Sequence, residues 1–276
     1  MERECMRRAE QSNRKKKSNE LWIATQTYGA SVILIIAVIA LWQFGIPEGM
    51  SSALPKPTLI AATIWKIWPI LLDNVLQTAL EAVLGFALGT TAGVLIAIGF
   101  VYSRTVAKTV YPIAVVLRSL PLIALMPFLV SLFGTGIMSK VVLAALTCFF
   151  PTLVNMVQGL TSVEPQALEL MQTLNANEKQ VFWKLRLPYS LPFLFTSFKI
   201  TSSAAVLGAI IGEWLWANVG LGAFIVNAMF NMQGPELWAS MMVATALSIL
   251  AYVLAVVGEV IIVPWHGALQ KTEVGK

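Results

Sequence analysis

The sequence predicts an all-α, polytopic membrane protein with about six transmembrane helices. Hydrophobic residues make up 57% of its 276 residues, and charged residues only 12%. A soluble domain is usually about one quarter charged. Because so few charges cannot cover a globular surface of this size, lipid must contact much of the chain. The length suits one compact membrane unit and leaves no room for a large soluble domain.

Six apolar runs approach the roughly 20 residues that a helix needs to cross a bilayer core. These runs are residues 28–46, 71–101, 110–133, 138–160, 193–216 and 237–263. The first run follows a basic segment, as the apolar part of a signal peptide does, but no small-residue cleavage site comes after it. We therefore interpret it as an uncleaved helix. A polar, proline-rich stretch, 45–69, leads to the second run.

Glycines recur every fourth residue in the second run, at Gly85, Gly89 and Gly93. A stripe of small residues lets two helix backbones approach closely. This stripe predicts tight packing against another helix.

Lysine and arginine counts predict the topology of the chain. The segments predicted on the inside hold 14 basic residues, and those on the outside hold 2. Cytoplasmic loops carry such an excess, so both termini are predicted in the cytoplasm. The chain then divides into a basic tail 1–27, a transmembrane domain 28–266 and a C-terminal tail 267–276. A basic tail before an apolar segment indicates membrane anchoring and no nucleic-acid partner.

The longest interior polar stretch, 161–192, carries the signals of two short helices. Thr161 and Glu164 predict a capping box, and Pro165 suits a first helical turn. Asn175 interrupts the first helix. The apolar residues that follow helical spacing in this first helix are Ala167, Leu168, Met171 and Leu174.

Asn177 and Gln180 predict a cap for the second short helix, and Leu187-Pro188 is expected to end it. Val181, Phe182 and Leu185 lie on one face. Such amphipathic helices can lie on the membrane, pack on their own bundle or dock into a partner protein. The residues alone leave these three alternatives open.

The stretch resembles the cytoplasmic EAA loop of ABC importer permeases. That pattern is Glu-Ala-Ala, three residues, Gly, nine residues and Ile-x-Leu-Pro. Here it falls on Glu169-Leu170-Met171, Asn175 and Leu185-Arg186-Leu187-Pro188. The spacing matches, while Leu170, Met171 and Asn175 depart from the family residues. Asn tolerates the left-handed conformation, so a turn at Asn175 survives.

Further motifs between about residues 50 and 265 are similar to the nitrate, sulfonate and taurine-type permeases of the binding-protein-dependent, type I family. They include Leu-Pro-Lys-Pro at 54–57, Leu-Arg-Ser-Leu-Pro at 117–121, and Glu213 followed by Gly-Leu-Gly at 220–222. The resemblance implies that 161–192 is a coupling loop that docks into a separate ATPase subunit. The implied coupling residues are Glu164, Glu169, Met171, Asn175, Ala176, Phe182, Leu187 and Pro188.

The resemblance also implies the partners and the location. These are the ATPase, an extracytoplasmic solute-binding protein, a second permease copy in a homodimer, and the lipid of a bacterial-type cytoplasmic (inner) membrane. No Gly-x-x-x-x-Gly-Lys-[Ser/Thr] occurs, so the chain lacks a P-loop for ATP phosphates. We expect no enzymatic activity, no catalytic residue and no cofactor or metal on this chain, with ATP bound by the partner.

Two other classes remain as alternatives. A membrane-embedded enzyme needs Asp, His or metal-ligand clusters, but the chain has one aspartate and one histidine. An ion-coupled secondary transporter places ionisable residues inside its bundle, where Glu81, Arg118, Glu213 and Glu259 qualify. Such a transporter would not need a loop with EAA spacing, and Glu259 is close enough to a helix end to snorkel.

The expected translocation path involves Arg118, Pro121, Glu213 and Trp214. Arg118 could attract an anion, or it could form a structural ion pair with Glu81 or Glu213. Glu213 is expected to face the path or a partner subunit. The resemblance points to a small anion such as nitrate, a sulfonate or taurine, and an aromatic vitamin or its precursor is the alternative substrate.

Overall fold

The computed structural model describes residues 29, 32–45, 53–103, 109, 112, 116 and 121–264, and these residues form helices joined by short turns with no strand. In chain order the helices are α1 (Val32–Gly45), α2 (Pro57–Lys66), α3 (Trp68–Tyr102), α4 (Leu122–Phe133), α5 (Ile137–Thr161), α6 (Pro165–Thr173), α7 (Glu178–Val181), α8 (Leu187–Glu213), α9 (Leu221–Phe230) and α10 (Gly234–Ile262). The all-α prediction is therefore confirmed.

Four helical segments in the described part of the chain are long and apolar enough to cross a membrane. They are α3, α5, α10 and the continuous segment Glu178–Glu213. They correspond to the second, fourth, sixth and fifth predicted runs. Of the first and third runs, the structure describes the shorter helices α1 and α4, so the total of six spans stays a prediction.

Helix α5 lies at the centre of the bundle, with α3 and α8 packed against it. The glycine stripe on α3 makes this possible. A methyl group at Gly85 would collide with the Cβ atom of Ala144, and one at Gly93 would lie 2.9 Å from the carbonyl oxygen of Phe149. A methyl group at Gly208 on α8 would lie 2.9 Å from Ala144 Cα. The predicted tight packing is confirmed, because two helices meet the α5 backbone where side chains are absent.

Two helices lie where the sequence indicated loops. The proline-rich stretch 45–69 contains α2, which begins at Pro57. A proline fits there because the first helical turn needs no intrahelical partner for its N–H. The predicted outer segment 217–236 contains α9, which has only 10 residues. At this length its apolar pattern is too short to indicate a spanning helix.

The prediction that Leu187-Pro188 ends the second short helix is wrong. A π-helical turn, Phe182–Arg186, joins α7 directly to α8, and Pro188 lies in the first turn of α8. The wider turn continues the helix through the point where proline lacks an N–H to donate. The fifth run therefore begins inside the loop and not at residue 193.

Candidate functional site

The first loop helix, α6, begins without the predicted capping box. Glu164 is its N-cap residue but provides no side-chain cap. The hydroxyl of Thr161 donates instead to the carbonyl oxygen of Val157 at 2.8 Å, inside α5. Because α5 extends to Thr161, this side chain is held by its own helix and cannot reach the start of α6. Pro165 occupies the first turn as predicted.

The predicted turn at Asn175 is confirmed. Asn175 has φ 54°, in the left-handed region, and directly follows the C-cap residue of α6. Its N–H donates to the carbonyl of Gln172 at 2.9 Å, and that of Ala176 donates to the carbonyl of Met171 at 3.0 Å. These two bonds form a Schellman motif, which satisfies carbonyls at the end of the helix. Asn175 therefore adopts the left-handed conformation that the sequence analysis expected at this position.

The predicted cap of α7 is also confirmed. The side chain of Asn177 accepts from the N–H of Gln180 at 2.9 Å, and the side chain of Gln180 accepts from the N–H of Asn177 at 2.9 Å. This reciprocal capping box satisfies two N–H groups that the helix cannot bond itself. It fixes the direction in which α7 leaves the turn.

Phe182 and Arg186 attach the loop to the bundle. Phe182 is buried in an apolar cluster with residues of α3 and α5, among them Phe100 and Leu160. Arg186 Nη1 donates to the carbonyl oxygen of Leu160 at 3.0 Å. A cation near the C-terminal end of α5 also complements the helix dipole. The α7 half of the loop is thus fixed to the membrane bundle.

The other loop helix, α6, has no buried residue. Leu170 and Leu174 expose 60% and 68% of their surface, and Trp183 after α7 exposes 65%. A cavity of about 320 Å³ lies beneath the loop and is lined by Leu168, Gln172 and others. Of the eight residues predicted to couple the loop to an ATPase, the structure exposes Glu164, Glu169, Asn175 and Pro188, half-buries Met171, Ala176 and Leu187, and buries Phe182. The loop therefore offers a mixed acidic and apolar face that its own bundle leaves uncovered.

Of the four predicted path residues, the structure describes three and does not bring those three together. Arg118 lies outside the described residues. Pro121 is exposed immediately before α4, and Trp214 is exposed just after α8. Glu213 is completely buried, with 0% exposure. Within this chain its carboxyl group is directed into the protein interior.

Both carboxylate oxygens of Glu213 accept hydrogen bonds. Thr78 Oγ1 donates to Oε1 at 2.7 Å, and the N–H of Gly222 donates to Oε2 at 2.6 Å. Thr78 Oγ1 also accepts from the N–H of Leu221 at 2.9 Å. The N–H of Gly220 donates to Asn74 Oδ1 at 2.8 Å. Side chains of α3 and α8 therefore satisfy the first three N–H groups at the start of α9, which its own turns cannot bond.

Glu81 and Lys140 lie next to this cluster. Glu81 Oε1 accepts from Gln77 Nε2 at 2.8 Å, and the Glu81 carboxyl adjoins that of Glu213. The ammonium of Lys140 lies within electrostatic range of Glu81 and donates to the carbonyl oxygens of Thr135 and Gly136. The sequence analysis named Glu81 but missed Lys140, Asn74 and Thr78. The spacing of Asn74, Thr78 and Glu81, which puts all three on one face of α3, was the available signal.

Glu259, which lies close to a helix end, forms an ion pair inside the bundle. Glu259 Oε2 accepts from Lys199 Nζ at 2.8 Å, which joins α10 to α8. The two side chains are largely buried, at 14% and 27% exposure. Because a charge inside a bundle is costly without a counter-charge, Lys199 holds Glu259 there.

Comparison with known proteins places this sequence in a family. Residues 89–265 match the family described as the binding-protein-dependent transport system inner membrane component. The formylaminopyrimidine transport permease ThiX of Halalkalibacterium halodurans is 33% identical over 236 residues, which cover 85% of this chain and 94% of that protein. The taurine transport system permease TauC of Escherichia coli is 28% identical over 213 residues, covering 76% and 74%.

A solved structure shares the fold. The MetNI methionine ABC transporter in an inward-facing conformation aligns with a TM-score of 0.55 and 20% identity, covering 70% of this chain and 94% of that one. The family match extends over more than half of the sequence, and the relatives cover most of its length. The chain belongs to the binding-protein-dependent inner membrane components, and it is a multi-pass permease subunit of an ABC importer.

Proposed function

We propose that the loop 161–192 couples this permease to a separate ATPase subunit. The single observation that carries the proposal is the asymmetry of the loop: the π-helical turn after α7 is anchored to the bundle by Phe182, while α6 has no buried residue. An apolar stripe that none of the described residues covers favours docking into a partner. Leu170, Leu174 and Trp183 provide apolar contact area, and Glu164 and Glu169 provide charges for orientation.

ATP is bound and hydrolysed on the partner subunit in this proposal. The sequence lacks the glycine-rich loop and lysine that cradle ATP phosphates. This chain holds no cofactor of its own, and ATP-driven motion enters through the loop. Because the π-helical turn passes directly into α8, movement of the loop transmits to a spanning helix.

A second copy of this chain completes the translocation path as a homodimer, since one chain carries one coupling loop. A solute-binding protein delivers the substrate at the outer face. The tails 1–27 and 267–276 lie in the cytoplasm, in keeping with the 14-to-2 distribution of basic residues. Arg118, Pro121 and Trp214 are proposed to line the path between copies, whereas Glu213 acts through its hydrogen bonds.

The proposed substrate is a small solute, either an anion such as nitrate, a sulfonate or taurine, or a small heterocyclic compound. Relatives named for both kinds support this range: formylaminopyrimidine for the 33%-identical protein, riboflavin for a 28%-identical permease of Chloroflexus aurantiacus, and taurine for the Escherichia coli protein. Selectivity in such a system rests largely with the binding protein.

The test reconstitutes the permease in proteoliposomes with its ATPase subunit and its solute-binding protein. We expect ATP-dependent uptake of one of these solutes, with ATPase co-purification abolished by Leu170→Asp. Phe230→Asp on α9 is the matched control, because Phe230 is exposed by 76% but lies outside the loop. Equal ATPase binding by both variants would rule out docking through α6, and uptake without ATP would contradict the importer mechanism.

A further inference from the structure

Helix α8 connects the coupling loop to the buried cluster around Glu213. It runs from Leu187 to Glu213, 27 residues without a break. At 1.5 Å per residue this is about 40 Å, enough to cross the membrane. Its first residue follows the π-helical turn, and its last residue bonds the start of α9. One helix therefore joins the proposed ATPase-docking loop to α9.

The start of α9 is buried, whereas its far end is exposed. Leu221 has 0% exposure and packs in the main apolar cluster, while Phe230 and Met232 are among the most exposed apolar side chains. The N–H groups at the start have no water to bond at this depth. Each needs an acceptor, because a buried N–H left without one is costly. Asn74 and Thr78 of α3 and Glu213 of α8 supply these acceptors.

Close contacts show that the fit is specific. A methyl group at Gly222 would collide with the carbonyl oxygen of Ile210 and lie 2.9 Å from Glu213 Cβ. A methyl group at Gly220 would likewise collide with the carboxyl group of Glu213. The start of α9 therefore cannot move past α8 unless the hydrogen bond from the N–H of Gly222 to Glu213 breaks.

We propose that Asn74, Thr78 and Glu213 form a latch, through which α8 positions α9 during the transport cycle. Thr78 is central because its hydroxyl contacts all three helices. It donates to Glu213 of α8 at 2.7 Å, with the carbonyl oxygen of Asn74 in its own helix as the longer alternative acceptor at 3.0 Å, and it accepts from the N–H of Leu221 in α9. Thr78 and Glu213 are positioning residues and need not touch the solute. The latch rests on the proposed function, since the coupling loop is what moves α8.

The experiment compares Thr78→Val with Thr90→Val in the reconstituted complex. Both threonines are buried on α3, and both substitutions replace a hydroxyl by a methyl group of similar size. The Thr90 hydroxyl donates only to carbonyls of its own helix, at Phe86 and Ala87, among the described residues. Thr78→Ser is the rescue variant, because it keeps the hydroxyl.

We expect the loss of the Thr78 hydroxyl to reduce uptake without reducing ATP hydrolysis. Thr78→Val should lower uptake per assembled complex at least about fivefold, because it leaves the N–H of Leu221 and one oxygen of Glu213 unbonded. ATPase co-purification and basal ATP hydrolysis should stay unchanged. Thr90→Val and Thr78→Ser should transport like the wild type.

Amide hydrogen exchange tests the latch without transport. Residues 220–222 in Thr78→Val should exchange at least about tenfold faster than in the wild type, and those in Thr90→Val should not. Unchanged exchange and uptake in Thr78→Val would overturn the latch, as would equal losses of hydrolysis and uptake in both valine variants. A wild-type complex without ATP-dependent uptake would instead overturn the proposed function, and the latch with it.

Discussion

Thr78 and Glu213 are 135 positions apart in the sequence, yet Thr78 Oγ1 donates a 2.7 Å hydrogen bond to Glu213 Oε1 in the interior of the bundle. Neither side chain is exposed. The bond joins α3 to α8 at the place where α9 begins. A carboxylate in this environment is stable only with its acceptor sites occupied, so the surrounding backbone has a strict geometry.

Gly220→Ala should destabilise the protein by about 1–3 kcal/mol, because φ 124° with ψ 158° is a region that essentially only glycine adopts. Its methyl group would also collide with the carboxyl of Glu213. The measurement is thermal or SDS-induced unfolding of the purified protein. Gly136→Ala is the control, since a methyl group there meets nothing within 4 Å and φ is −69°. Equal stability of the two variants would contradict the geometry at Gly220.

Asn175→Val should weaken binding of the ATPase subunit, whereas Asn175→Gly should preserve it. A β-branched residue in the left-handed region costs about 1–2 kcal/mol, which would distort the Schellman turn between α6 and α7. Co-purification of the ATPase at increasing salt measures the effect. Thr173→Val places the same side chain two residues earlier, inside α6, and should bind normally. If Asn175→Val retained full binding, the turn would have no role in docking.

Glu169→Lys and Pro188→Ala should each reduce ATP-driven uptake while the protein stays inserted. Both residues are exposed in the loop, and reversal of an interface charge should slow uptake at least about tenfold. Uptake and ATP hydrolysis are measured together in proteoliposomes. Glu236→Lys at the start of α10 is the control for charge reversal outside the loop. Normal uptake and ATPase binding in both loop variants would remove the coupling role.

Lys199→Met and Glu259→Gln should each lower the free energy of unfolding. The double variant should be destabilised by less than the sum of the two single effects. Each single change leaves a largely buried charge without its 2.8 Å partner. The double-mutant cycle, measured by unfolding in detergent, should give a coupling energy of about 0.5–3 kcal/mol. If the two single losses of unfolding free energy added exactly, the two charges would stabilise the protein independently of each other.

The residues of the predicted coupling loop show how far local signals predict structure. The predictions for Asn175 and for the Asn177–Gln180 pair were correct, because a left-handed turn and a capping box depend on residues a few positions apart. The prediction that Thr161 caps α6 was wrong, because its hydroxyl donates to the carbonyl oxygen of Val157 at the end of α5. The prediction that Pro188 ends the helix was wrong, because a π-helical turn accommodates its missing N–H. Each error arose where the adjoining helix, α5 or α8, determined which of two possible local structures formed.

The sequence by itself determined that the chain lies in the membrane, that it is helical, and where α3, α5 and α10 lie. Those properties follow from charge scarcity and from runs of apolar residues, which are local and additive. Only the tertiary structure decided the partners of the isolated polar residues: Glu213 with Thr78 and Gly222, and Lys199 with Glu259. The physical reason is that a buried polar group can be satisfied by any helix that reaches it. Which helix does so depends on packing, and here glycines at the α3–α5 and α5–α8 contacts bring the three backbones close enough.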